Sequence, residues 1–277
     1  MTILVSNANG KVGQQVARAL QQAGHQVRIG ARHVDKAKAQ FTGAEIVALD
    51  VTQPSTLASA LRGVTAVFAA LPYELQPAAD QALIAASKAA GVRRFVKLSA
   101  MGVDADPSSP HMLAEKSLAA SGLEWTVLRP NFFMQNYATM MADQVRSGAI
   151  YEPAAEGASS FVDTRDIAAV ALAALTQSGH SGKIYTLTGP AALTRAEIAA
   201  RLTSVIGKKV TYVAVDDAAL RSAMAGAPAS LVELMSALYG FVRQGFTAAV
   251  TSDVTQVTGK PARDSAGFAA DYAAAWK

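Results

Sequence analysis

There is no cysteine anywhere in the 277 residues, which excludes disulfides, thiolate metal sites and a cysteine nucleophile. Histidine is scarce. His25, His33, His111 and His180 stand apart, with no HxxxH or HExxH spacing, so no metal site is expected. Charge is sparse too: 17% of residues are charged and 51% are hydrophobic, the opposite of a disordered chain. Long hydrophobic runs are missing. The longest strongly apolar stretch, Ile167 to Leu175, has about half the length a membrane span needs and is rich in alanine. No basic segment precedes an apolar one at the N-terminus, so no signal peptide is visible and a soluble, cytoplasmic protein is expected. Basic clusters are also lacking. The net charge of +4 is dispersed, with nothing denser than Arg93-Arg94 and Lys208-Lys209. A nucleic-acid surface concentrates its charge on one face, so the excess points instead to a solvated surface plus a site for a small anion.

What is present is an alternation of β and α signals. Ile3, Leu4 and Val5 form a short apolar run of β-formers, as in a buried parallel strand. Small, turn-prone residues follow from Ser6 to Gly10, then a helical stripe at Val12, Val16 and Leu20. Gly24 ends that helix before a second strand over 26–29. Helical patterns over 35–41, 52–61, 76–90 and 111–120 then alternate with strand patterns over 45–49, 64–71, 94–99 and 124–128. Pro54 sits in a first helical turn, where its missing N–H costs nothing. The expected fold class is α/β, a doubly wound parallel sheet.

The second half is less regular. Helices are expected over 131–147 and 163–175, and strands over 183–187 and 209–213. Thr194 to Glu197 reads as a capping box opening another helix, and the chain after residue 213 is mostly helical. The expected division is a dinucleotide-binding domain over 1–150 and a smaller, mainly substrate-binding α/β lobe over 151–277. A segment at about 160–178 is expected to pack back on the first domain.

Strand, glycine turn, helix, strand is the unit that holds a nucleotide diphosphate at a helix N-terminus. Its fingerprint here reads Asn7-Ala8-Asn9-Gly10-Lys11-Val12-Gly13, with asparagine where the first glycine of G-x-x-G-x-x-G would stand. Asparagine is the non-glycine residue that best tolerates a left-handed backbone, so the turn is expected to survive. Cofactor choice falls to the end of the second strand, Gly30-Ala31-Arg32-His33, which has no acid before Asp35. The Arg32 guanidinium suits a 2′-phosphate by charge and by its planar donor fork, with Lys36 or Lys38 able to assist. NADPH is expected rather than NADH.

The chain resembles the NmrA-like, atypical branch of the short-chain dehydrogenase/reductase superfamily, a Rossmann fold. Within it, the chain is similar to type 2 NAD(P)H:quinone oxidoreductases and triphenylmethane-dye reductases. The resemblance runs over nearly the whole length. It includes the opening turn, the Arg32 loop, Leu49-Asp50-Val51, Phe95 to Ser99, and His111-Met112-Leu113-Ala114-Glu115-Lys116. It continues through Leu128 to Asn136, Val162 to Ile167, and Thr251 to Gly259. The resemblance implies that Asp50 and Val51 meet the adenine and that Ala70 and Leu71 line the ribose and nicotinamide side. It implies that Lys116 binds the nicotinamide ribose and that Ser99 stands beside the reacting centre. The superfamily's tyrosine, four residues before that lysine, is replaced here by Met112.

Methionine cannot donate a proton. Reducing an isolated ketone makes a strongly basic alkoxide that wants a positioned acid. Reducing a quinone makes a far less basic phenolate, so the missing tyrosine favours conjugated acceptors, with catalysis by alignment. His111, Tyr73 and Tyr137 are replacement-donor candidates, His111 foremost. A substrate pocket is expected at the carboxyl ends of the strands. Asn131, Phe132, Phe133 and Met134 are its candidate walls together with Tyr73 and Tyr137, an apolar, aromatic lining for a small flat ring. The expected protein is an NADPH-dependent oxidoreductase of quinones or similar acceptors, monomeric or homodimeric. A non-catalytic, dinucleotide-binding redox sensor of NmrA type is the alternative, and a biosynthetic reductase a third possibility.

Overall fold

The computed structural model describes residues 1–277 and contains nine strands. These are β1 (Thr2–Ser6), β2 (Gln26–Ala31), β3 (Glu45–Ala48), β4 (Ala66–Ala69), β5 (Arg94–Leu98), β6 (Glu124–Pro130), β7 (Ala149–Glu152), β8 (Lys183–Leu187) and β9 (Thr211–Ala214). Seven form one sheet in the order β3-β2-β1-β4-β5-β6-β8, and every neighbouring pair is parallel. The order reverses between β1 and β4, the switch point where a doubly wound sheet opens its crevice. Residues 3–5 of β1 and all of β4 are buried, which is why these strands read as continuous apolar runs rather than alternating ones.

The crossovers of this sheet are helical: α1 (Lys11–Gln22), α2 (Val34–Gln40), α3 (Pro54–Leu61), α4 (Ala78–Ala89) and α5 (Pro110–Ala119). Helix α1 buries Val12, Val16 and Leu20 and packs against the helix Thr164–Thr176. Helix α4 packs between α3 and α5. There Leu57, Leu61, Leu83 and Leu118 close over Phe95 and Val127 of the sheet. No helix is long and apolar enough to cross a membrane.

The chain divides into two compact units. The first comprises Met1–Pro130, Thr164–Leu187 and Gln256–Gly259, and the second Asn131–Asp163, Thr188–Thr255 and Lys260–Lys277. The division falls after Pro130, ahead of the expected boundary near 150, and the expected return of the segment around 160–178 runs on to Leu187. The boundary lies early because Met134, Tyr137, Ala142, Val145 and Ile150 join the second unit's core with Ile198, Leu202 and Phe268. The single helix expected over 131–147 is two, Gln135–Ala138 and Ala142–Ser147. An extended start before them lets Met134 N–H donate to the Val162 carbonyl at 3.0 Å. Gly148, at φ 94°, then turns the chain into β7, which pairs in parallel with β9. That pairing moves the strand expected over 209–213 to 211–214.

Candidate active site

The carboxyl ends of the two central strands are tied together, because Ser6 Oγ at the end of β1 accepts the Ala70 N–H at 2.9 Å. Beyond Ser6 the chain turns on Asn7, whose φ of 50° is left-handed, as expected of asparagine at a glycine position. The Asn7 carbonyl accepts the Gly10 N–H at 2.9 Å. Gly13 is required by contact: a Cβ there would lie 2.4 Å from the Asn7 carbonyl oxygen. Helix α1 starts with no side-chain cap and no acid in its first turn. Its first amides and the positive end of its dipole therefore remain available to an anion. Half-buried Lys11 stands at the same end, with burial holding its ammonium below the usual range. A close-packed glycine turn, an uncapped helix and a lysine fit the pyrophosphate of a dinucleotide.

The loop after β2 is equally concrete. Gly30 lets β2 pass Leu49, since a Cβ there would fall 2.3 Å from Leu49 Cδ2. Arg32 follows β2 on the exposed surface. Asp50 stands two residues past the end of β3 and accepts from Thr52 N–H at 3.0 Å and Thr52 Oγ1 at 2.7 Å. Those two bonds hold its carboxyl below the usual range, and the nearby Arg32 charge adds to the effect. No acid competes for Arg32 at the end of β2 itself, because Asp35 sits inside α2 beside Lys38 at 3.6 Å.

On the other side of β4 the expected donors are differently placed. Ser99 Oγ donates to Glu115 Oε1 at 2.5 Å. Arg129 clamps the same carboxylate through Nε at 3.2 Å and Nη2 at 2.7 Å. That Nη2 also lies 3.4 Å from Met112 Sδ. The serine proton is thus committed to a buried carboxylate and not offered to a substrate oxygen. Lys116 lies on the exposed side of α5, and its Nζ donates to the Pro107 carbonyl at 3.0 Å. Ala70 is buried, while Leu71, Val51 and Tyr73 are half-buried and Asn9 is exposed.

His111 is half-buried, with its ring centroid 5.6 Å from that of Tyr73. Burial first, and then the Lys97 charge, push its imidazole down to about 4. Lys97 lies in mid-strand on β5, fully buried, 2.8 Å from Asp80 Oδ1 on α4. Burial raises the Asp80 carboxyl against the opposing pull of Lys97. The depressed imidazole has a stability consequence. Between pH 6.5 and 4 the unfolded chain binds a proton at His111 that the folded chain refuses, so stability falls as pH falls through that window. Urea titrations at both ends of the window should show wild type losing about 3 kcal/mol more than His111→Phe.

The candidate walls in the second unit divide. Phe132 and Phe133 are half-buried, as a lining residue can be. Met134 and Tyr137, each 2% exposed, are core residues instead of pocket walls, and the Tyr137 hydroxyl donates to Glu152 at 2.9 Å. That hydroxyl is therefore no replacement donor. Asn131 is committed as well, its amide donating to Ser160 Oγ at 2.8 Å and to the Thr247 carbonyl at 2.7 Å. An ensemble the sequence reading missed lies behind them. Fully buried Arg195 donates to Glu152 at 3.0 Å and Ser159 at 2.8 Å, under the rings of Phe161 at 4.9 Å and Phe132 at 5.4 Å. Its only sequence signal is its place just inside the Thr194 capping box, which the structure contains. For Lys97 the signal was stronger, a charge set between the apolar residues Phe95, Val96 and Leu98 of one strand.

The β3-β2-β1-β4-β5-β6 order, with a glycine turn between β1 and α1, defines a nucleotide-binding α/β protein of the doubly wound class. More narrowly, the chain belongs to the NmrA-like family, whose model matches residues 1–257. It is 40% identical to an NAD(P)H azoreductase of Xenophilus azovorans, over 99% of both chains. It is 31% identical to quinone oxidoreductase 2 of Escherichia coli K12, over 84% of this chain and 85% of that one. Among solved structures, the NADPH-dependent quinone oxidoreductase of Escherichia coli complexed with NADPH matches with a TM-score of 0.85. That match covers 98% of this chain and 99% of the other, at 27% identity.

Proposed function

We propose that the protein is an NADPH-dependent reductase that delivers hydride to a quinone or a similar conjugated, aromatic acceptor. The observation that carries the reading is Met112, held against Arg129, in a site otherwise shaped for a dinucleotide. Relatives named as azoreductase and quinone oxidoreductase support it. When bound, the nicotinamide supplies the hydride; the chain supplies position. Gly10, Lys11 and Gly13, with the first amides of α1, hold the pyrophosphate, while Asn7 shapes the turn and Asn9 and Val12 flank it. Arg32 takes the 2′-phosphate, Asp50 and Val51 take the adenine, and Ala70 and Leu71 line the ribose and nicotinamide side. Lys116 exchanges the Pro107 carbonyl for the nicotinamide ribose. Ser99 serves as a brace for Glu115 and Arg129. Tyr73 lines the acceptor's place on the first unit. Such an acceptor spreads the incoming charge over its own conjugation, so alignment supplies most of the rate. A cytoplasmic monomer or homodimer goes with this reading.

The test is to mix the protein with NADPH and benzoquinones, naphthoquinones and triarylmethane dyes, and to follow the nicotinamide absorbance. Turnover of at least one acceptor is expected. Tight NADPH binding without turnover of any acceptor would return the redox-sensor reading. Replacing Arg32 by alanine should weaken NADPH about 10- to 100-fold, the worth of a charge-assisted hydrogen bond, and barely change NADH. Equal losses for the two cofactors in a fluorescence titration would remove Arg32 from cofactor selection.

A further inference from the structure

Resting on the reductase reading, we infer that neutral His111 is the hydrogen-bond donor to the heteroatom of the hydride acceptor, through its Nε2–H. The other donors that a short-chain reductase would turn on its substrate are spent, missing or assigned elsewhere. Ser99 gives its proton to Glu115, Met112 has none, and Lys116 goes to the nicotinamide ribose in the reading above. His111 adjoins Met112 on the first turn of α5, and the tilted Tyr73 ring beside it limits the ways the imidazole plane can lie.

The two ring nitrogens are in different surroundings. Nδ1 is buried and has no hydrogen-bond partner, whereas Nε2 is not buried. A neutral imidazole carries a single N–H. Placing it on Nδ1 would leave a buried donor with no acceptor. Placing it on Nε2 leaves Nδ1 an unpaired acceptor instead of an unpaired donor, and presents the proton at the nitrogen a ligand can reach. The depressed affinity of the ring for a second proton agrees with this assignment, since Lys97 and burial keep it neutral. A neutral N–H aimed at a carbonyl oxygen stabilises the charge that gathers there as hydride arrives. In the reaction hydride adds to one quinone oxygen, the π electrons shift through the ring, and the displaced pair comes to rest on the other oxygen. His111 holds that oxygen by hydrogen bond and keeps its own proton. Water supplies the proton that completes the hydroquinone.

The assignment can be read without turnover. Protein labelled with ¹⁵N and saturated with NADP⁺ cannot reduce 1,4-naphthoquinone, so imidazole spectra at neutral pH report contact alone. The expected result is the Nε2–H tautomer in the free protein and a shift of that resonance when naphthoquinone is added. An Nδ1–H tautomer, or a resonance the quinone does not move, would overturn the inference. In turnover, His111→Phe should lower kcat for naphthoquinone about 100-fold with NADPH affinity unchanged. His111→Gln, which keeps an N–H at nearly the same reach, should recover part of the loss. Quinone turnover by His111→Phe equal to wild type would overturn the inference. Wild type that reduces no acceptor would instead sink the reductase reading, while the spectra would still decide whether His111 meets the quinone.

Discussion

Replacing Arg195 with methionine should lower the free energy of unfolding by about 3–5 kcal/mol, the usual result of stranding one member of a buried ion pair. Arg195 is fully buried and Glu152 is 3% exposed. Glu152 accepts from Arg195 Nε at 3.0 Å and from the Tyr137 hydroxyl at 2.9 Å, so without the arginine its charge loses its only opposite partner among these contacts. The guanidinium also fills the space among Phe161, Phe132 and Tyr239, at 4.9, 5.4 and 6.0 Å from their centroids. Methionine restores part of that packing and none of the charge. Burial and the Glu152 charge push the Tyr137 and Tyr239 phenols up, so both remain neutral donors at any working pH. The double variant Arg195→Met with Glu152→Gln should recover part of the loss, because no buried charge is then stranded. Urea unfolding followed by circular dichroism measures both. A loss below about 1 kcal/mol in the single variant would mean that Glu152 finds relief elsewhere.

Gly13→Ala is the second large effect, and it should fall on cofactor binding as well as stability. Alanine is a better helix former than glycine by about 1 kcal/mol, so in an open helix the change would help. Here the new methyl would meet the Asn7 carbonyl oxygen at 2.4 Å, the Asn7 carbonyl carbon at 2.9 Å and Ala8 Cα at 3.0 Å. All three are backbone and cannot rotate away. Either α1 moves off β1 or the turn deforms, at about 1–3 kcal/mol for overpacking. Either movement displaces the first amides of α1, which are proposed to hold the phosphates, and a loss of about 100-fold in NADPH affinity is expected. Fluorescence titration with NADPH and a thermal melt read the two effects separately. Wild-type affinity in Gly13→Ala would show that the phosphates do not sit on this turn.

The parallel sheet was legible because its central strands β1 and β4 are buried and so carry unbroken apolar runs such as Ile3 to Val5. The capping box at Thr194 was legible because it depends on residues three apart. Asn7 was legible for the same local reason, a turn with a known backbone requirement. The break between Gln135–Ala138 and Ala142–Ser147 was not, because it falls at Thr139, whose backbone at φ −128° and ψ −87° leaves the helical region without a glycine or proline to signal it. In the candidate site, the family resemblance pointed to Ser99 and Lys116 and the residue type to His111, but neither showed which donor is already spent. That depends on Glu115 and Arg129, which α5 and β6 bring to Ser99 only in the folded chain. Met134 and Tyr137 read as pocket wall because an aromatic run after a strand looks the same whether it faces a ligand or a core.

The late arrival of β8 bears on how the chain is made. Strand β6 is complete at Pro130, but its outer neighbour spans Lys183–Leu187. As the polypeptide leaves the ribosome, six parallel strands can assemble while β6 waits as a bare edge. Its N–H and C=O groups stay open to any passing strand until the chain has gone out through residues 131–163 and come back. A nascent chain halted between these points exposes the β6 edge, and one that has emerged past Leu187 can cover it with β8.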